Sequence, residues 1–364
     1  MPESLTLRQL SRALLDRQLL LTRADLGAEA ATSRVAGLQS QVPNPPYIGL
    51  WSRLSDFERA DLTDAIRERR IVRAALMRST LQLVTAADHA LFRPTLLPAL
   101  EKGLRSFFGK RIDGLDKEPV IEAARAHLDG SARTKGELKP ALLAVAPDRD
   151  PEALSYVVRT YLPLIQAYPS GTWGSGAPTY ERAEARLGPL GEPNVPALFR
   201  RYLAAFGPAS IMDFQTWSGM TKMQETLADS LIDLVQYKDE QGRTLYDLPD
   251  NALPHADTPA PVRFVPEYDN LLISHADRSR IIADADRGRV FLSAGRIAAT
   301  VLIDGFVAGT WKVVNTKRDA VLEIELFGKA SSGVESAMHE EGGRLVRFIA
   351  DTAETTNVRI RVVS

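Results

Sequence analysis

Two glutamines one residue apart, Gln39 and Gln41, stand in the run Leu38-Gln39-Ser40-Gln41-Val42-Pro43. In an extended chain side chains alternate with period two, so both amides point to one side and Ser40 to the other. Pro43, Pro45 and Pro46 follow at once. Each fixes its own φ and pushes the residue before it (Val42, Asn44, Pro45) away from helix. The expectation is a stiff, extended segment that presents two amides. An amide offers an acceptor oxygen and a donor nitrogen, so the pair can hold one water through both kinds of contact. The plainer alternative is two exposed polar residues on a strand.

Other candidate chemistry is less complete. His275 and Asp277 are possible metal ligands, but zinc needs three or four and no third is evident. Ser274, His275 and Asp277 are too close in sequence to form a catalytic triad. The glycine-rich loop over residues 169–178 is not followed by Gly-Lys-Ser/Thr, so it is not a phosphate-binding loop. Trp173 in that loop reads as a packing anchor. The chain has no cysteine, which removes thiolate chemistry and disulfides and fits a cytoplasmic location.

At 364 residues, with 45% hydrophobic and 25% charged residues, the chain has room for several compact units of ordinary composition. No segment reads as a membrane span, and Met-Pro-Glu-Ser-Leu lacks the pattern of a secretion signal. The formal net charge is −1, but it is unevenly spread. Residues 1–145 carry 22 Lys and Arg against 17 Asp and Glu. That distribution implies a modest positive face on the N-terminal part rather than a strongly basic groove.

The elements that must position the glutamines begin with a helical unit over residues 3–35, where Leu5, Leu7, Leu10, Leu14, Leu15 and Leu19 recur at helical spacing and Ser4 could cap the start. It includes a second short helix over 26–33. A helix is expected over 55–69, then strands over 71–77 and 80–84. Arg67, Arg69, Arg70 and Arg73 border this hairpin and face either solvent or phosphate. A helix over 86–100 runs into Glu101–Arg111, which mixes four cations with Phe107 and Phe108. That mixture suits a DNA edge or a helix end. Helices over 119–128, 134–143 and 151–161 precede strands over 164–168 and 180–185. Asn194–Phe206, Gly207-Pro208-Ala209 and Ser210–Ser218 read as a helix-turn-helix. From Pro261 onward the texture is strands (262–265, 290–293, 300–307, 310–314, 320–327, 358–363) with one helix over 334–351, interrupted at Gly342-Gly343. Such a pattern suggests a small closed or half-closed barrel.

The run Pro46-Tyr47-Ile48-Gly49-Leu50-Trp51-Ser52-Arg53-Leu54 after the glutamines resembles the catalytic region of the AlkZ/YcaQ-like winged-helix DNA glycosylases. The resemblance continues through Met77-Arg78-Ser79-Thr80-Leu81-Gln82-Leu83-Val84, Phe206-Gly207-Pro208-Ala209 with Asp213, and Trp217-Ser218-Gly219. It extends to Pro266-Glu267-Tyr268-Asp269-Asn270, His275-Ala276-Asp277-Arg278, and Val301-Leu302-Ile303-Asp304-Gly305 with Gly309-Thr310-Trp311. The segments occur in order over most of the chain. Two positions depart from the family: Ser40 replaces a usual aliphatic residue, and Gln82 stands where His is common.

The resemblance implies an α+β fold of three tandem winged helix-turn-helix units followed by a C-terminal β-barrel. The boundaries are 1–85 with the catalytic segment, 86–190, 191–255 and 256–364. It implies hydrolysis of the N-glycosidic bond of N7-alkylguanine, including bulky adducts and interstrand crosslinks, in repair or in self-resistance to a DNA-alkylating natural product. Gln39 and Gln41 are then the catalytic pair. Candidate DNA contacts are Arg53, Arg70, Arg73, Arg78, Gln82, Lys110, Arg111, His275 and Arg278, with residues 275–278 in a structural or DNA-facing hairpin. The partner is duplex DNA carrying the alkylated base, the chain acts as a monomer, and the scheme needs no metal or organic cofactor. The rival is a non-enzymatic winged-helix regulator, because most helix-turn-helix domains bind without chemistry.

Overall fold

The computed structural model describes residues 3–316 and 318–363. β1 (Glu3–Leu5) leads into α1 (Leu7–Arg17). The cap of α1 is Thr6, which exchanges hydrogen bonds with Gln9 in a capping box, and the expected cap Ser4 lies in the strand instead. After α2 (Ala28–Arg34) and β2 (Leu38–Gln39) comes a helix where an extended chain was expected, α3 (Pro45–Arg53). Pro45 and Pro46 open it at no cost, because the first N–H groups of a helix have no internal partner. The aversion of a pre-proline residue to helix gives way here, with Asn44 at φ −74°, ψ −38°. The helix gains the burial of Tyr47, Ile48 and Leu50. Only a short extended piece therefore carries the glutamines.

α4 (Arg59–Arg67) precedes the hairpin of β3 (Ile71–Ala75) and β4 (Leu81–Thr85). Next come α5 (Ala86–Thr95), α6 (Leu97–Phe108), α7 (Glu118–His127), β5 (Arg133–Thr134), α8 (Lys135–Val145) and α9 (Pro151–Tyr161). A second hairpin follows, β6 (Leu164–Gln166) and β7 (Thr179–Arg182). The two hairpins do not stand apart. Ala74 pairs with Ile165, joining six strands in the order β2-β4-β3-β6-β7-β5.

Past α10 (Glu184–Leu187), α11 (Val195–Phe206) and α12 (Ile211–Ser218) form the expected helix-turn-helix, with Ser210 and Asp213 in a capping box. Trp217 on α12 is fully buried and meets Phe92 edge-on, ring centroids 5.9 Å apart. After α13 (Met223–Leu227), β8 (Val235–Asp239) and β9 (Thr244–Asp247) make a third hairpin. β1 adds to β8 in parallel, and a buried Arg17–Asp247 ion pair at 2.6 Å ties α1 to the same hairpin.

The C-terminal part holds β10 (Arg263–Val265), α14 (Arg287–Val290), β11 (Thr300–Ile303), β12 (Phe306–Asn315), β13 (Asp319–Leu326), α15 (Ser332–Ile349) and β14 (Thr355–Val362). The strand expected over 290–293 is the end of α14 and a turn. The expected barrel is corrected to an open sheet, β10-β11-β12-β13-β14, with β10 and β14 as its edges. No pairing of β14 with β10 closes the sheet among the described residues. β14 joins β13 in parallel, and a parallel neighbour needs a crossover. α15 is that crossover, and Met338, Leu345 and Val346 lay it against Phe264, Leu322 and Ile324. The helix runs unbroken through Gly342-Gly343, since this packing outweighs about 1 kcal/mol per glycine. Among the described residues no helix is long and apolar enough to cross a membrane.

Candidate active site

Gln39 closes β2 opposite Gln82 of β4, and the Ser40 N–H continues the pairing to Leu81 O at 2.8 Å. The two glutamines differ in exposure. Gln39 is nearly buried, at 8%, while Gln41 is exposed. Between them Ser40 is fully buried. Gln41 Oε1 lies 3.4 Å from the Leu81 N–H, so both glutamines lean on β4.

The backbone of this segment is gripped by Arg73 of β3. Its Nε donates to Ser40 O at 2.9 Å, and its Nη1 donates to Gln166 Oε1 at 2.6 Å. Arg73 is 5% exposed, and burial lowers its pKa to about 10, so it stays charged at neutral pH. Its expected place on the phosphate face is corrected to an internal clamp.

The β3–β4 connection supplies the second grip. Arg78 and Ser79 both take left-handed backbone conformations, with φ 54° and 59°. Such residues cost on the order of 1–3 kcal/mol each and persist where surroundings over-determine them. Here three elements do so. From α9, Arg159 donates to Ser79 O at 2.7 Å, and Tyr156 shares a hydrogen bond of 2.9 Å with Ser79 Oγ. From α6, Gly103 leaves room for Ser79, since a Cβ there would come within 2.7 Å of Ser79 Cβ. After α12, Gly219 at φ +83° approaches so closely that its Cβ would lie 3.0 Å from Arg78 Cα.

Part of Arg78 remains accessible, but its guanidinium turns inward onto three neutral oxygens. It donates to Trp217 O at 2.7 Å, Gln39 Oε1 at 2.9 Å and Asn270 Oδ1 at 3.0 Å. Burial lowers its pKa to about 10, with Arg278 adding repulsion. Asn270 in turn donates to Gly37 O at 3.0 Å and to Gln82 Oε1 at 3.4 Å. Gln82 is fully buried and donates to Thr80 Oγ1 at 2.8 Å and towards Gln39 Oε1 at 3.5 Å. Gln39, Arg78, Gln82 and Asn270 therefore form one network around the Gln39 amide.

Other expected DNA contacts lie elsewhere. Arg53 is corrected to a buried residue, paired with Asp269 through two 2.9 Å contacts beside Asn270. Gln82 is sealed inside, as above. His275 is buried too, with Nε2 3.0 Å from Phe206 O, and desolvation pushes its pKa down, so it is a neutral core residue. Arg278 is half-buried over the Phe291 ring at 4.3 Å. Arg70 is exposed but engaged by Glu68 at 2.7 Å and Glu29 at 3.3 Å. Lys110 and Arg111 are exposed beyond α6, with Arg111 reaching Asp150 at 2.8 Å. Trp173 packs against Tyr47 and Phe348.

The sequence alone gives no role to Asn270, Tyr156, Gly103 or Gly219. Asn270 and Gly219 fall in segments that carry the resemblance, and that is their signal in the sequence. Tyr156 and Gly103 gave none, because each matters only through the turn it packs against.

The fold is mixed α+β, and its candidate site is built from amides held by buried guanidinium groups. Residues 32–348 match the family model described as DNA glycosylase AlkZ-like, and the chain belongs to that family and is a DNA glycosylase. The alternative of a non-enzymatic regulator gives way to this membership. A relative from Streptomyces sahachiroi named interstrand DNA cross-link repair glycosylase is 23% identical over 376 aligned residues, covering 93% of this chain and 95% of the relative. The solved structure of Streptomyces sahachiroi DNA glycosylase AlkZ superposes with a TM-score of 0.84 at 20% identity, over 98% of this chain and 100% of that one. That likeness establishes the fold.

Proposed function

We propose that the protein hydrolyses the N-glycosidic bond of N7-alkylguanine in duplex DNA, bulky adducts and interstrand crosslinks included, with Gln39 and Gln41 at the reacting centre. The observation that carries this reading is the Gln39–Arg78–Asn270 network, which spends a buried cation and a strained turn on orienting one amide. The named activity of the Streptomyces sahachiroi relative supports the crosslink part.

An amide site suits this leaving group. Alkylation at N7 makes the base cationic, so when the C1′–N9 bond breaks its electron pair neutralises the purine and no strong acid is needed. Water then forms the new bond at C1′ and releases one proton. The protein has to place that water and steady the oxocarbenium-like sugar. A crosslinked guanine is held by both strands and cannot swing into a closed pocket. The exposed Gln41 suits a reaction at an open surface.

The three helix-and-hairpin units ending in β3–β4, β6–β7 and β8–β9 are read as tandem winged helices that carry the duplex. Lys110 and Arg111, beside the exposed Phe107, are the phosphate contacts best placed for this. The test is a duplex oligonucleotide with a single N7-methylguanine. Excision leaves an abasic site that breaks in hot alkali, while an intact strand after long incubation would count against the reading. Release of uracil at a comparable rate would sink the argument from a cationic leaving group.

A further inference from the structure

We infer that Arg78 is a positioning residue that locks Gln39 as a hydrogen-bond donor toward the substrate, so that the two glutamines have opposite roles. This rests on the proposed reading of Gln39 and Gln41 as the reacting centre. A guanidinium only donates, so the Gln39 atom 2.9 Å from Arg78 is the amide oxygen. The neighbours agree with that polarity. Asn270 accepts from Arg78 through Oδ1, which turns its Nδ2 onto Gly37 O and Gln82 Oε1. Gln82 then has its nitrogen left for Thr80 Oγ1 and Gln39 Oε1. Every amide in the network is oriented in one direction, and a flip of any one would set donor against donor or acceptor against acceptor.

The consequence falls on Gln39 Nε2. Among the described residues it has no hydrogen-bond partner, and it is not among the polar atoms sealed from solvent. A cation on the oxygen polarises the amide and strengthens the N–H groups at its other end. Gln39 therefore offers donors, which suit the acceptor atoms of the departing guanine as electron density arrives on it. It has no free oxygen with which to accept from the attacking water. That task falls to Gln41, whose exposed amide among the described residues is bound only by the long 3.4 Å contact to Leu81 N.

The experiment is single-turnover excision of N7-methylguanine from a duplex oligonucleotide, with duplex affinity measured over a salt series. The variants are Gln39→Ala, Gln39→Glu, Arg78→Met and the double variant Arg78→Met/Gln39→Ala. A Glu side chain at position 39 would turn one oxygen to Arg78 and the other to the substrate, removing the donor. Gln39→Glu is expected to be as slow as Gln39→Ala, and Arg78→Met to lose on the order of 10²-fold, as for a misplaced group. The double variant is expected within a few-fold of Gln39→Ala alone, because coupled residues are not additive. Affinity and salt slope should stay unchanged. Wild-type rates for Gln39→Glu, or the full Arg78→Met loss reappearing in the double variant, would overturn the inference. So would a salt slope reduced by about one phosphate contact, which would place Arg78 on DNA. If Arg78→Met fails to fold, Gln39→Glu still decides, since it leaves Arg78 in place. Gln39→Ala at the wild-type rate would overturn the site reading itself, a result distinct from slow Gln39→Ala with additive losses.

Discussion

Arg53 and Asp269 meet in a two-point ion pair, 2.9 Å at each contact, with both side chains buried. Arg53 ends α3, the helix that follows the glutamines, and Asp269 immediately precedes Asn270. The pair thus fixes the segment that delivers Asn270 to the Gln39 network. Asp269→Ala leaves an unpaired buried guanidinium, and breaking such a pair costs about 3–5 kcal/mol. The expected result is a lower urea midpoint together with slower excision. An unchanged midpoint would show that the pair adds nothing to the fold.

Gln39→Ala and Gln41→Ala should each slow excision on the order of 10²–10³-fold, the usual loss for one stabilising group at a reacting centre. Duplex affinity should hardly move, because phosphate contacts dominate it. Rate and affinity measured on the same variants separate the two effects, and parallel losses in both would argue that the glutamines only bind.

Gln41→Asp should keep excision well above Gln41→Ala. A carboxylate accepts from water and steadies positive charge better than an amide. It is also one methylene shorter, and misplacement by about 1 Å can cost roughly 10²-fold. Single-turnover rates decide, provided that the variant melts normally. Equal rates for the Asp and Ala variants would mean that residue 41 works through amide geometry alone.

Lys110→Ala with Arg111→Ala should weaken duplex binding uniformly across sequences. The slope of log affinity against log salt should fall by about two contacts. At saturating enzyme the excision rate should stay near wild type. An unaltered slope would remove the end of α6 from the DNA interface.

Acid should destabilise the protein through His89. The side chain is fully buried, and desolvation, with Arg93 nearby, holds its pKa down at about 4 against about 6.5 in an unfolded chain. The unfolded state therefore binds the extra proton first. Stability from this group is present above pH 6.5 and is lost as pH falls toward 4, by about 3 kcal/mol at most. Urea midpoints from pH 7 to 4.5 should fall, and His89→Leu should flatten part of that slope. A slope identical in both proteins would contradict the assignment.

What the sequence by itself determined is local. The Gln-x-Gln spacing, the hairpin read over 71–77 and 80–84 and found as β3 and β4, and the Asn194–Ser218 helix-turn-helix depend on periodicity, turn residues and caps, all readable along the chain. The resemblance added the family. Tertiary structure decided the rest. Pro45 and Pro46 read as helix breakers until burial of α3 made them its first turn. The late strands read as a barrel, but β14 reaches β13 in parallel through α15, and no pairing with β10 closes the sheet among the described residues. Most of the expected DNA-facing set shows the same limit. Arg53, Arg73 and Arg78 look alike in sequence, yet one anchors a helix, one clamps a backbone and one orients an amide. A guanidinium's role depends on which oxygens surround it, and those oxygens come from residues as distant as Gln166, Trp217, Asp269 and Asn270. No local pattern encodes such meetings, because they exist only once the chain has closed on itself.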